Sequence, residues 1–119
     1  MSDATNGNWV AVGRLGEIPR LGSRVVETPE GEVALFRTSD DRVFALRNRC
    51  PHKGGPLADG MVHGHRVTCP LHNWVLELEN GEAVAPDVGC APSYPVRLDG
   101  DVVYLSLLPA AGCDEKSAA

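Results

Sequence analysis

Apolar residues along this chain fall in short runs, most of which alternate apolar with polar positions. The runs are "SRVVET" (Ser23–Thr28), "EVALFR" (Glu32–Arg37), "RVFALR" (Arg42–Arg47), "HRVTC" (His65–Cys69), "WVLEL" (Trp74–Leu78), "YPVRL" (Tyr94–Leu98) and "DVVYLSL" (Asp101–Leu107). A period of two with β-branched and aromatic residues predicts strands. Reversal sequences separate them: "PEG" at Pro29–Gly31, "SDD" at Ser39–Asp41, "NG" at Asn80–Gly81 and "DGD" at Asp99–Asp101. Gly, Asn and Asp tolerate positive φ and Pro presets its own, so each can turn the chain back on itself. Helical spacing is not sustained anywhere; "LGEIPRLG" is interrupted by Pro19 and Gly22. The prediction is an all-β fold, an antiparallel sandwich or small barrel. From Pro109 onward "PAAGCDEKSAA" lacks apolar period, which predicts one domain over 1–108 and a flexible tail over 109–119.

Composition agrees with this. The chain has 119 residues, 43% of them hydrophobic, enough for one compact domain. A formal net charge of -5 argues against a nucleic-acid partner, which requires clustered Lys and Arg. The N-terminus lacks the basic segment and apolar core of a secretory leader, and no run is long enough to span a bilayer. The expectation is a cytoplasmic protein without a membrane partner.

The chemistry lies in the spacing of cysteine and histidine. Of the four cysteines, Cys50 sits in "NRCPHKGGPLADG" with His52 two residues on, and Cys69 in "TCPLHNW" with His72 three residues on. The pattern is CxH, sixteen intervening residues, then CxxH. A reducing compartment disfavours a disulfide framework and directs clustered thiols to metal or redox work. Thiolates and imidazoles suit zinc, copper, nickel or iron, whereas calcium and magnesium prefer oxygen. Three readings stay open on the residues themselves: buried cysteines with loop histidines, a Cys2His2 zinc site, and a Rieske [2Fe-2S] centre with two Cys on one iron and two His on the other. Zinc fingers usually take two cysteines from one arm and two histidines from the other. Here the types are interleaved, as they must be when each of two loops reaches both irons.

"CPHKGGPLADG" followed by "CPLHNW" resembles the cluster-binding loops of Rieske-type ferredoxins and most closely those of the small subunit of assimilatory NAD(P)H nitrite reductase. The likeness extends through "VFALRNRC" and "GEAVAPDVGCAPSYPVRLDGDVVYL", from about Val33 to Leu107. It implies a Rieske-type fold with a cluster-binding subdomain formed by two loops. It implies that Cys50 and Cys69 bind one iron as thiolates and that His52 and His72 bind the other through Nδ1, with Nε2 directed outward. Some members of the small-subunit family lack these ligands, and this sequence keeps all four. High-potential respiratory members carry a disulfide between the loops; the matching positions here are Gly55 and Leu71, and Trp74 stands in place of a serine that donates to a cluster sulfide. Neutral imidazoles in place of two thiolates ease reduction, which puts Rieske potentials at roughly -150 to +300 mV against about -400 mV for plant-type ferredoxins. The lower end of that range is expected here.

Glycine explains the pliability of the first loop: Gly54 and Gly55 let it turn tightly, and Gly60 and Gly64 either shape the hairpin leading to the second loop or serve ordinary turns. His63 and His65 read as solvated hairpin positions and Lys53 as a solvated charge. Trp74 and Leu57 either border the histidine edge as a docking surface or lie in the core beneath it. Cys90 reads as a free, partly buried thiol outside the ligand pattern, and Cys113 lies in the tail.

The chain contains no nucleophile-and-base motif and no phosphate-cradling loop, and is too short for an added mononuclear-iron domain. An electron carrier that leaves bond chemistry to a partner is the expectation. The resemblance implies a large nitrite reductase subunit carrying FAD, sirohaem and another iron-sulfur cluster, which reduces nitrite to ammonium with NAD(P)H in nitrate assimilation. The alternatives are a Rieske ferredoxin serving a ring-hydroxylating dioxygenase and a zinc-stabilised interaction module without redox role.

Overall fold

The run Val33–Ala34–Leu35–Phe36 breaks the alternation seen elsewhere, and all four residues are buried. Neighbours in a strand point to opposite faces, so such a strand must be covered twice. Val33 and Leu35 pack with Ile18, Val43, Ala45, Tyr94, Val103 and Leu105. Ala34 and Phe36 enter a second core with Leu46, Leu57, Val67, Cys69, Leu76 and Leu78.

This arrangement belongs to a computed structural model that describes residues 9–29, 31–49, 56–69, 74–84 and 89–106. The strands are β1 (Trp9–Arg14), β2 (Ser23–Thr28), β3 (Gly31–Arg37), β4 (Val43–Arg47), β5 (Met61–His63), β6 (Arg66–Thr68), β7 (Val75–Glu77), β8 (Ser93–Tyr94), β9 (Val96–Asp99) and β10 (Val102–Ser106). They form three antiparallel sheets in the orders β2-β3-β4-β8, β1-β10-β9 and β5-β6-β7. The four-stranded sheet is the middle of the molecule, with the β1-β10-β9 core on one face and the β5-β6-β7 core on the other. Each fully buried Leu, Val or Phe contributes about 1.5–3 kcal/mol relative to exposure. Among the described residues no helix is long and apolar enough to cross a membrane.

The all-β expectation holds, and the reversals fall where the turn residues predicted them. β2 and β3 close at Thr28↔Gly31, and β9 and β10 close at Asp99↔Val102 over Gly100, whose φ is 65°. Gly81 has a φ of 76°, and a Cβ there would overlap the carbonyl oxygen of Ala91, so this turn requires glycine twice over.

Three features differ from the sequence expectation. "YPVRL" is divided: Tyr94 pairs with Ala45 in the middle sheet, whereas Val96 pairs with Leu105 in the outer one. Pro95 between them has no N–H to give to a ladder, and the chain changes sheets there. β1 escapes prediction because its partner β10 is distant in sequence and a register shift between Ala11 and Gly13 breaks its alternation. β5 has only three residues, too few to show a period. The predicted tail lies outside the described residues.

The β3–β4 hairpin is tied by charge. Arg37 donates from Nε and Nη2 to Asp41 Oδ1 at 3.0 and 2.9 Å, and from Nη1 to the carbonyls of Leu15 and Ile18 at 3.2 and 3.0 Å. Arg20 adds bonds to both Asp41 oxygens. Asp41 itself sits at a φ of 63°. The Arg37 hydrogen bonds, followed by those of Arg20, hold its carboxyl below the ordinary value of 3.8. A depressed carboxylate stabilises the fold above its unfolded pKa, and the contribution is lost as pH falls through the lower folded value. Asp41→Asn keeps a residue that accepts positive φ but removes the charge. Chemical denaturation is expected to show this variant less stable than wild type at neutral pH. The gap closes as pH drops from the unfolded value to below the folded one.

Candidate metal centre

The β5-β6-β7 sheet is the frame of the site. Val62, Val67 and Leu76 point inward into the core that also holds Leu57, Phe36 and Leu46. Leu57 belongs to a single 3-10 turn, Leu57–Asp59, through which the chain returns from the first cysteine-histidine arm. Cys69 follows β6 directly. It has no exposed surface and is not disulfide-bonded.

Both arms are closed at the neck. Asn48, at the end of β4, accepts the Ala58 N–H at Oδ1 over 2.8 Å, which brings together the two chain segments flanking the first arm. The Cys69 N–H donates to the Trp74 carbonyl at 2.6 Å, and Thr68 pairs with Val75 behind it, which closes the second. The necks also meet each other. A Cβ at Gly60 would overlap the Thr68 carbonyl oxygen and come within 3.0 Å of Val67 Cγ2. Gly60 has an ordinary φ of -80°, so glycine is needed here for close approach and not for conformation. Gly60, on the exit side of the first segment, thus abuts Thr68, the residue before Cys69, at one end of the small sheet.

Of the four predicted ligands, the structure describes Cys69; Cys50, His52 and His72 lie outside the described residues, as do Gly54 and Gly55. The Cys69 environment suits a soft metal, since an apolar, solvent-excluding wall around a thiolate protects the metal-sulfur bond and lowers the local dielectric. Leu57 is buried in the core, and Trp74 packs against that core partly buried. Leu57 is therefore a core residue, whereas Trp74 packs against the core and keeps part of its surface exposed.

Two expectations need correction. Cys90 is disulfide-bonded and is not the free thiol expected from its position outside the ligand pattern. His65 is not simply solvated: it is half-buried, with Nε2 at 3.1 Å from Asp40 Oδ2 and Nδ1 at 3.7 Å from Glu79 Oε2. Its ring tilts against Phe44, with centroids 5.3 Å apart. It therefore fastens the β5–β6 turn to the middle sheet. Spacing does not reveal this, because Asp40 and Glu79 come from distant turns. The Thr38 hydroxyl first, then His65, hold the Asp40 carboxyl below its ordinary value. His63 is exposed, but its Nε2 lies 2.7 Å from Thr68 Oγ1.

In this antiparallel β protein the described residues that flank the two cysteine-histidine segments, Asn48 and Ala58 for one and Cys69 and Trp74 for the other, are joined in pairs by hydrogen bonds. The Rieske [2Fe-2S] domain model matches residues 8–95, and the chain belongs to that family. Its cofactor is accordingly a Rieske [2Fe-2S] cluster and its work electron transfer. The chain is 33% identical to the ferredoxin component of a naphthalene 1,2-dioxygenase system from Pseudomonas aeruginosa, over 83% of this chain and 95% of the relative. It is 31% identical to the ferredoxin subunit of an anthranilate 1,2-dioxygenase from Burkholderia cepacia, over 86% and 95%. Among solved structures it is similar to a carbazole 1,9a-dioxygenase ferredoxin from Nocardioides aromaticivorans, with a TM-score of 0.76 and 25% identity over 84% of this chain and 98% of that one. It is similar in fold to a Mycobacterium tuberculosis protein assigned as the small subunit of an NADH-dependent nitrite reductase, with a TM-score of 0.76 and 23% identity over 86% and 96%.

Gly60→Ala puts a methyl group into the Thr68 carbonyl, which must move and take Cys69 with it. The expected cost is about 1–3 kcal/mol, read as a lowered thermal midpoint with faster loss of bound iron. Gly16→Ala, where a Cβ would meet nothing within 4 Å and the backbone is not left-handed, is expected to leave iron retention unchanged.

Proposed function

We propose that this protein is the Rieske ferredoxin component of a ring-hydroxylating dioxygenase system, an electron carrier between a reductase and a terminal oxygenase. The observation that supports it is the end-to-end match with dioxygenase ferredoxin components, which are covered over 95% of their length at 31–33% identity. Such a carrier has no bond chemistry of its own, in keeping with the absence of a nucleophile-and-base motif in the sequence.

In this reading Cys50 and Cys69 hold one iron and His52 and His72 the other. When bound, the cluster supplies one-electron storage at a potential set by two neutral imidazoles. The chain's own residues do the rest. Leu57, Val67 and Leu76 exclude water from the Cys69 side, and the necks at Asn48–Ala58 and Cys69–Trp74 fix where the two arms point. Residues 1–108 form the cluster-carrying domain, 109–119 a tail, and the protein works in the cytoplasm with a catalytic partner.

A second reading, small subunit of an NAD(P)H nitrite reductase, draws support from the wording of the loops and of "GEAVAPDVGCAPSYPV". The fold likeness at 23% identity is compatible with it but carries no partner. There the FAD, sirohaem and further iron-sulfur cluster belong to the large subunit.

Anaerobically purified protein is expected to be red-brown, with two irons and two acid-labile sulfides per chain. The reduced protein is expected to give an EPR signal with average g below that of plant-type ferredoxins. Cys69→Ser is expected to lose both metal and signal. Mixing the reduced protein rapidly with a dioxygenase oxygenase component or with a nitrite reductase large subunit separates the two readings by which partner reoxidises it. A colourless protein that takes up one zinc and resists anaerobic iron and sulfide reconstitution would overturn both.

A further inference from the structure

The backbone of Ala58, six residues after His52, is held at both its N–H and its carbonyl. Its N–H donates to Asn48 Oδ1 at 2.8 Å, and its carbonyl accepts from Ser23 Oγ at 2.6 Å. Asn48 is itself fixed by two further bonds to one residue: its backbone N–H donates to the Glu32 carbonyl at 2.9 Å, and its Nδ2 donates to Glu32 Oε1 at 3.1 Å. The partners determine the orientation of the amide, because an N–H needs an oxygen and a carboxylate needs a donor. A side chain of this length that accepts on one end and donates on the other is asparagine. Aspartate would accept from Ala58 but would set a carboxylate against Glu32.

Asn48 precedes Cys50 by two residues, and Ala58 adjoins Leu57, which packs in the same core as Cys69. The clamp therefore joins the strand that leads into the first arm to the turn that supports the second. We propose that Asn48 is a positioning residue for the first ligand arm, acting through the Ala58 N–H, with Ser23 as its counterpart at the Ala58 carbonyl. This rests on the reading that the two arms carry the cluster. Its physical basis is preorganisation: an arm whose neck is fixed presents its ligands with little ordering left to do when metal binds.

The test uses purified holoprotein. Asn48→Ala leaves the Ala58 N–H without its acceptor, and cluster bleaching in the presence of a chelator is expected to become about tenfold faster, a change of about 1.4 kcal/mol. Its reduced EPR lines are expected to broaden as the ligand geometry spreads. Ser23→Ala is expected to act in the same direction, with Ser23→Thr close to wild type. N48D is expected to bleach faster than wild type, and the double variant N48D/E32Q to recover, since the glutamine amide supplies the donor that the carboxylate lacks. A residue with a merely structural role would lower the thermal midpoint without moving the EPR line shape and without responding to the swapped polarity. Asn48→Ala with wild-type bleaching and line shape, or a double variant no better than N48D, would overturn the proposal. If wild type itself holds no iron or sulfide after reconstitution, the proposed function fails instead. Hydrogen exchange at the Ala58 amide then tests the clamp directly: exchange about tenfold faster in Asn48→Ala supports it, and unchanged exchange refutes it.

Discussion

A single strand buried on both faces dictates the architecture. Because Val33 and Leu35 need one apolar cover and Ala34 and Phe36 need another, β3 cannot lie in a sheet with a wet side. The chain meets this demand with two smaller sheets. One is built from β1 and the hairpin β9–β10, so it joins the two ends of the described chain. The other is the local meander β5-β6-β7, whose only buried contributions are Val62, Val67 and Leu76 along its strands. That second cover also carries Cys69 and the described residues flanking both cysteine-histidine segments, so one apolar contact completes the core and fixes those flanks.

How the frame is seated matters as much as its presence. A three-stranded sheet with strands of three residues has little stability of its own, and its attachment is made by a few specific contacts. Gly60 lets backbone meet backbone at Thr68, His65 lies between Asp40 and Glu79, and the Leu78 N–H donates to the His65 carbonyl at 2.9 Å. Of these, the His65 contacts with Asp40 and Phe44 bind the meander to the middle sheet at its turn end, the others tie the meander to itself, and the apolar core covers its inner face. The necks of the arms are then closed by hydrogen bonds that use backbone groups of the flanking residues. A redox site gains from such closure, because an electron carrier should change shape little between its two oxidation states.

The same frame serves relatives with different partners, which is why fold alone does not name one. A carbazole 1,9a-dioxygenase ferredoxin and a protein assigned as a nitrite reductase small subunit superimpose on this chain with equal TM-scores of 0.76. The choice of partner rests on surface residues around the arms and on loop wording, which evolve apart from the core. Whole-length sequence similarity therefore weighs more here than shape in choosing the reading, although the loop wording on which the sequence resemblance rests points to the other.

Strands, reversals and the family's paired cysteine-histidine motifs were legible in the sequence because each depends on neighbours in the chain. Alternation marked β2 and β4, positive-φ residues marked the turns at Asp41, Gly81 and Gly100, and the spacing from Cys50 to His72 marked the Rieske family. What could not be read were relations between residues far apart. The pairing of β1 with β10, the passage of Pro95 from one sheet to the next and the disulfide at Cys90 each require a partner that no local pattern names. The same holds for Asn48, an unremarkable residue of "NRC" until folding sets Ala58 and Glu32 on either side of its amide. Local stereochemistry and side-chain chemistry thus determined the elements and the kind of centre. Only the packing of the middle sheet between two unlike covers decided which residues close the arms, because hydrogen bonds and van der Waals contact act over a few ångströms of space whatever the separation along the chain.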